Sequence, residues 1–196
     1  YAYVANGSRG LRLIDVSEPA DPKEVSSLDT PGTAYDVSIS GSYAYLADGK
    51  GGLRVIDVSD SRFPREVGSY PKETNLSRVE SASGVHVLGS YAYLADGEGG
   101  LRSINVSNPA SPVKVGSYNT PGTAYRVFVS FPYAHVADER GGLRVINVED
   151  PSLLWEIGFY ATPGRALGVA ASGTVAYVAS GDFGMEVVDL FNPSVP

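Results

Sequence analysis

Apolar residues in this chain fall in short runs of five to eight positions, closed at both ends by Gly, Pro, Asn or Asp, and no stretch sustains the periodicity of an amphipathic helix. Runs of that length rich in Val, Ile and Tyr predict β-strands. In GLRVIDVS from Gly52, alternation puts Leu53, Val55 and Asp57 on one side and Arg54, Ile56 and Val58 on the other. Apolar residues stand on both sides, so the sheet must be covered on both faces.

The pattern repeats. YAYVA at Tyr1 returns as YAYLA at Tyr43 and Tyr91, YAHVA at Tyr133 and VAYVA at Val175, a step of 42 residues except for 48 between the second and third copies. Each copy leads through a Gly-rich loop into a second apolar segment: GLRLIDVS from Gly10, GLRVIDVS from Gly52, GLRSINVS from Gly100, GLRVINVE from Gly142 and GMEVVDLF from Gly184. Four copies continue into a third segment, such as REVGSY from Arg65, and then through a turn into a fourth, such as TAYDVSIS from Thr33. Four short antiparallel strands per unit, with neighbouring units covering each other's faces, predict an all-β fold: a β-propeller of about five blades, its repeats beginning at residues 1, 43, 91, 133 and 175.

The segments GLRVIDVS, the YAYLADG before it and the P-x-x-VGSY-x-TPG after it resemble the LVIVD-repeat family of β-propellers. The resemblance spans essentially the whole chain. It implies that TAYDVSIS is the innermost strand of its blade, followed outward by YAYLA, GLRVIDVS and REVGSY. In that order the chain opens on a second strand and stops after a third, so the terminal blades are incomplete. One domain over residues 1–196, part of a longer protein, is the expectation. Similar proteins are mostly extracytoplasmic or attached to a surface, which implies an extracellular or cell-surface location.

Composition removes several classes of function. No Cys is present, which excludes disulfide scaffolds and cysteine-ligated zinc, and a net charge of −7 gives no electrostatic reason to bind nucleic acid or anionic lipid. No apolar run is long enough to span a bilayer as a helix. His86 and His135 sit in different strand types without a second imidazole nearby, so each reads as a packed or rim residue. The loop acids Asp48, Asp96, Asp138 and Asp182 recur about once per blade, too sparsely for a calcium site, and read as turn formers. Arg12, Arg54, Arg102 and Arg144 recur likewise and are expected to pair with acids of the scaffold. No metal, cofactor or catalytic residue is predicted.

Residues that every blade needs are explained by packing, so recognition is sought where one blade departs from the others. The connection PKETNLSRVESASG from Pro71 is longer than its counterparts and carries Lys72, Glu73, Arg78 and Glu80. Inner strands carry Asp36, Gly84, Arg126 and Gly168 at matching positions. Asp36, Arg126 and the nearby Arg165 would border the channel mouth, where they either bind a small polar ligand or tie blades together. Leu153, Leu154 and Trp155 replace the usual Pro and charge at the start of an outer strand, an apolar rim patch suited to a contact. Two functions are compatible with this pattern. One is a non-enzymatic scaffold for protein or glycan contacts within a surface assembly. The other is a polysaccharide lyase or hydrolase using Asp36 and Arg126 at the mouth. The oligomeric state is left open by these residues.

Overall fold

Each repeat folds as a separate antiparallel sheet, and the computed structural model describes residues 1–70 and 81–196. The first sheet is β1 (Ala2–Ala5), β2 (Leu11–Asp15) and β3 (Lys23–Leu28). The second is β4 (Asp36–Ser40), β5 (Tyr43–Ala47), β6 (Leu53–Asp57) and β7 (Arg65–Tyr70), and the third β8 (Ala82–Leu88), β9 (Tyr91–Asp96), β10 (Leu101–Asn105) and β11 (Val113–Tyr118). The fourth is β12 (Arg126–Ser130), β13 (Tyr133–Ala137), β14 (Leu143–Asn147) and β15 (Trp155–Tyr160). The last is β16 (Gly168–Ser172), β17 (Val175–Ala179) and β18 (Met185–Asp189), with a single 3-10 turn at Gly181–Phe183.

Strands neighbour one another in sequence order within every sheet, which is the meander of a propeller blade. The inner strands β4, β8, β12 and β16 lean on one another in succession. The result is a propeller-like series of five blades whose sheets do not close into a ring among the described residues.

Alternation along the strands assigns each face a partner. Leu11 and Leu13 of the first sheet pack with Ala44, Leu46 and Ile56 of the second. Tyr45, Leu53 and Val55 from the opposite face of that second sheet pack with Ala92, Leu94 and Ile104 of the third. The third and fourth sheets meet through Tyr93 and Leu101 against Ala134, Val136 and Ile146, and the fourth and fifth through Leu143 and Val145 against Ala176, Val178 and Val188. The core is thus four slabs between blades, each built, in the two middle strands of a blade, from odd-numbered positions of one sheet and even-numbered positions of the next. This is why both sides of GLRVIDVS are apolar.

Backbone groups latch the same joints. A residue of each hairpin loop between second and third strands bridges an alanine at the entry to the next blade: Gly7 with Ala34, Gly49 with Ala82, Gly97 with Ala124 and Glu139 with Ala166. In the outer strands Gly68, Gly116 and Gly158 lie under the next blade's turn, so close that a Cβ on Gly158 would stand 2.5 Å from the Pro193 carbonyl oxygen. Asp15, Asp57, Asn105, Asn147 and Asp189 each accept the N–H of the residue two positions on, closing the next turn of the meander.

Candidate functional site

In the second, third and fourth blades the recurrent arginine and loop acid form one linkage each. Asp48 is fully buried and accepts the Thr30 hydroxyl at 2.6 Å and the Gly32 N–H at 2.9 Å, both from the preceding repeat, with Arg54 Nε 3.4 Å away. Asp138 repeats the arrangement with the Thr120 hydroxyl, the Gly122 N–H at 2.8 Å and Arg144 Nε at 3.6 Å. Burial pushes the Asp138 carboxyl above its usual range, while the bonds from Thr120 and Gly122 and the Arg144 charge pull the other way. Arg54 and Arg144 also reach Glu66 and Glu156 on the outer strands, at 3.2 and 3.4 Å. These groups are fixed to each other, and the acids do more than form turns: they join consecutive repeats.

The structure corrects the fourth member of the acid series. Ser180, not Asp182, stands in register with Asp48 and Asp138, and its hydroxyl oxygen accepts the Gly164 N–H at 3.1 Å. Asp182 falls within the 3-10 turn. Among the described residues no three His, Asp or Glu side chains gather in a way that would hold a metal ion.

At the channel mouth Asp36 opens β4 and Arg126 opens β12, and the two meet at 3.9 Å. Asp36 accepts the N–H groups of Val37 and of Val85 in the neighbouring blade, each at 3.0 Å. Burial raises its pKa, against those two bonds and the Arg126 charge. Arg126 donates to three carbonyls: Ser83, Tyr125 at 3.1 Å, and Tyr35 at 2.9 Å. It can cross the third blade because Gly84 lies beneath it, where a Cβ would be 2.8 Å from the Arg126 Cα. The sequence left two readings open for this pair. The geometry gives each side chain structural partners in more than one blade.

Arg165 does not join them. Its guanidinium pairs with Glu139 at 2.9 Å and donates to the Tyr125 hydroxyl at 3.2 Å. Among the described residues Glu139 is the one non-glycine residue with positive φ, at 52°, where Gly7, Gly49, Gly97 and Gly181 occupy the other repeats. Beside Arg126 lies a mouth cavity of about 380 Å³, bordered also by Tyr35, Ser83, Thr123, Tyr125 and Leu167. Lys72, Glu73, Arg78 and Glu80 lie outside the described residues.

The rim patch divides. Leu153 is 67% exposed and Trp155 51%, but Leu154 is only 7% exposed and belongs to the slab between the third and fourth blades. Leu154 stands where Pro112 is buried in the preceding repeat. Val113, the counterpart of Trp155 one blade earlier, is also exposed.

Sequence reasoning missed the blade-joining role of Asp48 and Asp138, since the signal, a TPG turn preceding each acid by about sixteen residues, links neighbouring repeats and is invisible within one. It also missed how far His135 is buried: it occupies the place of Tyr45 and Tyr93, 2% exposed, with no hydrogen-bond partner for Nδ1 among the described residues.

Matches to the family model of the LVIVD repeat fall at residues 1–30, 31–72, 80–120, 121–162 and 163–196. No curated protein matches the chain. Among solved structures the computationally designed Ika8 protein superposes with a TM-score of 0.69 at 9% identity, over 96% of this chain and 54% of its own. The computationally designed Ika4 protein superposes with a TM-score of 0.65 at 10% identity, over 86% of this chain and 98% of its own. The chain spans about half the length of the Ika8 protein, and at these identities the likeness is one of fold alone.

Proposed function

Because this chain belongs to the LVIVD-repeat family, with five repeats along its length, we propose that it acts as a non-enzymatic scaffold that holds protein or glycan partners at its rim. The observation that carries this reading is a contrast. The ionisable groups at the channel mouth are engaged with backbone and with one another, whereas Leu153 and Trp155 are both exposed to solvent where an outer edge strand begins. A general acid or base needs a side chain free to exchange a proton with substrate, and Asp36 already accepts two backbone N–H groups. An exposed indole beside an aliphatic side chain offers a flat, dehydratable surface of the kind that anchors contacts.

The family resemblance further supports a place outside the cytoplasm, within a surface assembly. Among the described residues no helix is long and apolar enough to cross a membrane, so attachment to a surface would run through other segments or partners. Fractionating the source cells tests the location.

For the rim, the test compares the chain and its Trp155→Glu variant on immobilised extracellular polysaccharides and surface proteins. The expected result is retention on at least one ligand, reduced about tenfold or more by the substitution, with the melting temperature unchanged. Equal retention of both proteins, or turnover of a polysaccharide, overturns the reading.

A further inference from the structure

Four joints between blades follow one rule, in which odd-numbered positions in the two middle strands of one sheet meet even-numbered positions of the next. Among the described residues nothing covers the corresponding face of the last sheet. Met185 stands at the position of Leu11, Leu53, Leu101 and Leu143, all fully buried, yet is 64% exposed. Val187, at the position of the buried Leu13, Val55 and Val145, is 62% exposed. Tyr177, the counterpart of the buried Tyr45 and Tyr93, is 40% exposed. Tyr177 and Met185, with Gly168, Ala170 and Ala179, border a shallow apolar groove of about 380 Å³.

The complementary face, in the first sheet, is likewise uncovered among the described residues. Val4 matches Leu46, Leu94, Val136 and Val178, and Val16 matches Val58, Val106 and Val148; all seven are buried, while Val4 and Val16 are exposed. Ala2 and Ile14, the counterparts of Ala44 and Ile56, complete the surface and are only half-buried. One chain therefore carries both halves of the interface that its own interior uses four times.

We propose that the last sheet of one chain packs against the first sheet of a second copy, head to tail, extending the blade series across two molecules. The occupant follows from continuity with the internal joints. Tyr177, Met185 and Val187 take the roles of Tyr45, Leu53 and Val55. Val4, Ile14 and Val16 take those of Leu94, Ile104 and Val106, which meet them in the internal slab. Such a contact is heterologous, so two copies can close on each other through two equal interfaces, or further copies can add in a row.

Sedimentation velocity over a wide concentration range tests this on the chain itself, with Val187→Glu and Val4→Glu as single variants. Both positions are exposed, so each variant keeps the parent's circular dichroism and melting temperature, and Met185→Glu replaces Val187→Glu if it does not. The parent is expected to move from 20.6 kDa towards twice that mass or beyond as concentration rises. Each variant alone stays at the single-chain mass. An equimolar mixture of the two recovers a one-to-one pair, because the intact last sheet of one variant meets the intact first sheet of the other. A parent that remains a single chain at all concentrations overturns the proposal, as does association that survives in either variant or a mixture that forms no pair. A face-to-face contact between two last sheets would be abolished by Val187→Glu and spared by Val4→Glu, and it too overturns the proposal.

Discussion

The guanidinium of Arg126 donates to the carbonyl oxygen of Tyr35, 91 residues earlier in the chain and two blades away, at 2.9 Å. A further bond to Ser83 and the approach to Asp36 make Arg126 a tie across three inner strands. Arg126→Ala is expected to lower stability by about 1–2 kcal/mol, the range for losing bonds of a charged donor to partly buried acceptors. Hydrogen exchange at the Val85 amide, held by Asp36, is expected to accelerate. An Arg126 that merely awaited an anionic ligand would leave both measurements unchanged.

That tie depends on Gly84. A Cβ there would stand 2.8 Å from both the Arg126 Cα and the Tyr125 carbonyl oxygen, backbone atoms that cannot rotate away. Gly168 holds the matching place in the last blade, where the nearest atom would be the Ala179 Cβ at an ordinary 3.5 Å. Gly84→Ala is therefore expected to cost about 1–3 kcal/mol by overpacking, and Gly168→Ala to stay within about 0.5 kcal/mol of the parent. Urea denaturation of the two variants side by side checks this, and equal effects would mean the inner strands are free to separate.

The strands and their grouping into blades were legible because alternation and repetition act at short range and recur five times. Faces apolar on both sides, as at Leu53 and Ile56, announced that sheet must cover sheet. The mouth was legible only as residue types. Nothing near Arg126 in sequence indicates a Tyr35 carbonyl, since side-chain bonds to a backbone acceptor in another blade leave no compositional trace. Asp182 falls in the acid series only as the acid of its loop, recurring at nearly the same place, and Ser180 holds the position because the loop's hydrogen bonds, not its nearest acid, set the register. Leu154 read as part of a rim patch because its neighbours are bulky, yet the slab beneath it needs an apolar residue there, as Pro112 supplies one blade earlier.

Glu139 reverses the usual order of Ala and Gly. At φ 52° its backbone is in the left-handed region, which costs a residue with a Cβ about 1 kcal/mol or more. Its carboxylate pairs with a half-exposed Arg165, a contact worth about 0–1 kcal/mol. Glu139→Ala keeps the strain and loses the pair, whereas Glu139→Gly loses both. The glycine variant is expected to be more stable than the alanine variant by about 1 kcal/mol, as measured by thermal unfolding. The reverse order would place the residue's importance in its side chain's own contacts.

Neighbouring positions at the rim separate contact surface from core. Leu154→Ala removes apolar volume from a buried slab and is expected to cost about 2–4 kcal/mol. Trp155→Glu alters a half-exposed side chain and is expected to change stability by no more than about 0.5 kcal/mol. Comparable losses from both would mean that Trp155 is part of the packing and would remove it as an anchor.

His135 makes the fold sensitive to acid. It is enclosed where the second and third blades carry tyrosine, its Nδ1 lacks a partner among the described residues, and burial pushes its pKa from 6.5 down to about 4. The unfolded chain takes up a proton near pH 6.5, but the folded chain resists until about pH 4. Within that window the unfolded state binds more protons, so stability is complete above it and declines as pH falls, by roughly 3 kcal/mol at the bottom. Asp36 and Asp138, whose carboxyls burial raises, act in the opposite sense at the acid end because the folded state takes their protons more readily. Burial also lowers His86, which adds to the decline. The contribution of His135 is isolated by comparing the parent with His135→Tyr, which installs the side chain found at Tyr45 and Tyr93 and leaves the other groups in place. The stability of the variant relative to the parent is expected to rise steadily as pH is lowered through the window and to level off below it. A constant difference across that range would mean that the buried imidazole has a partner able to share its proton.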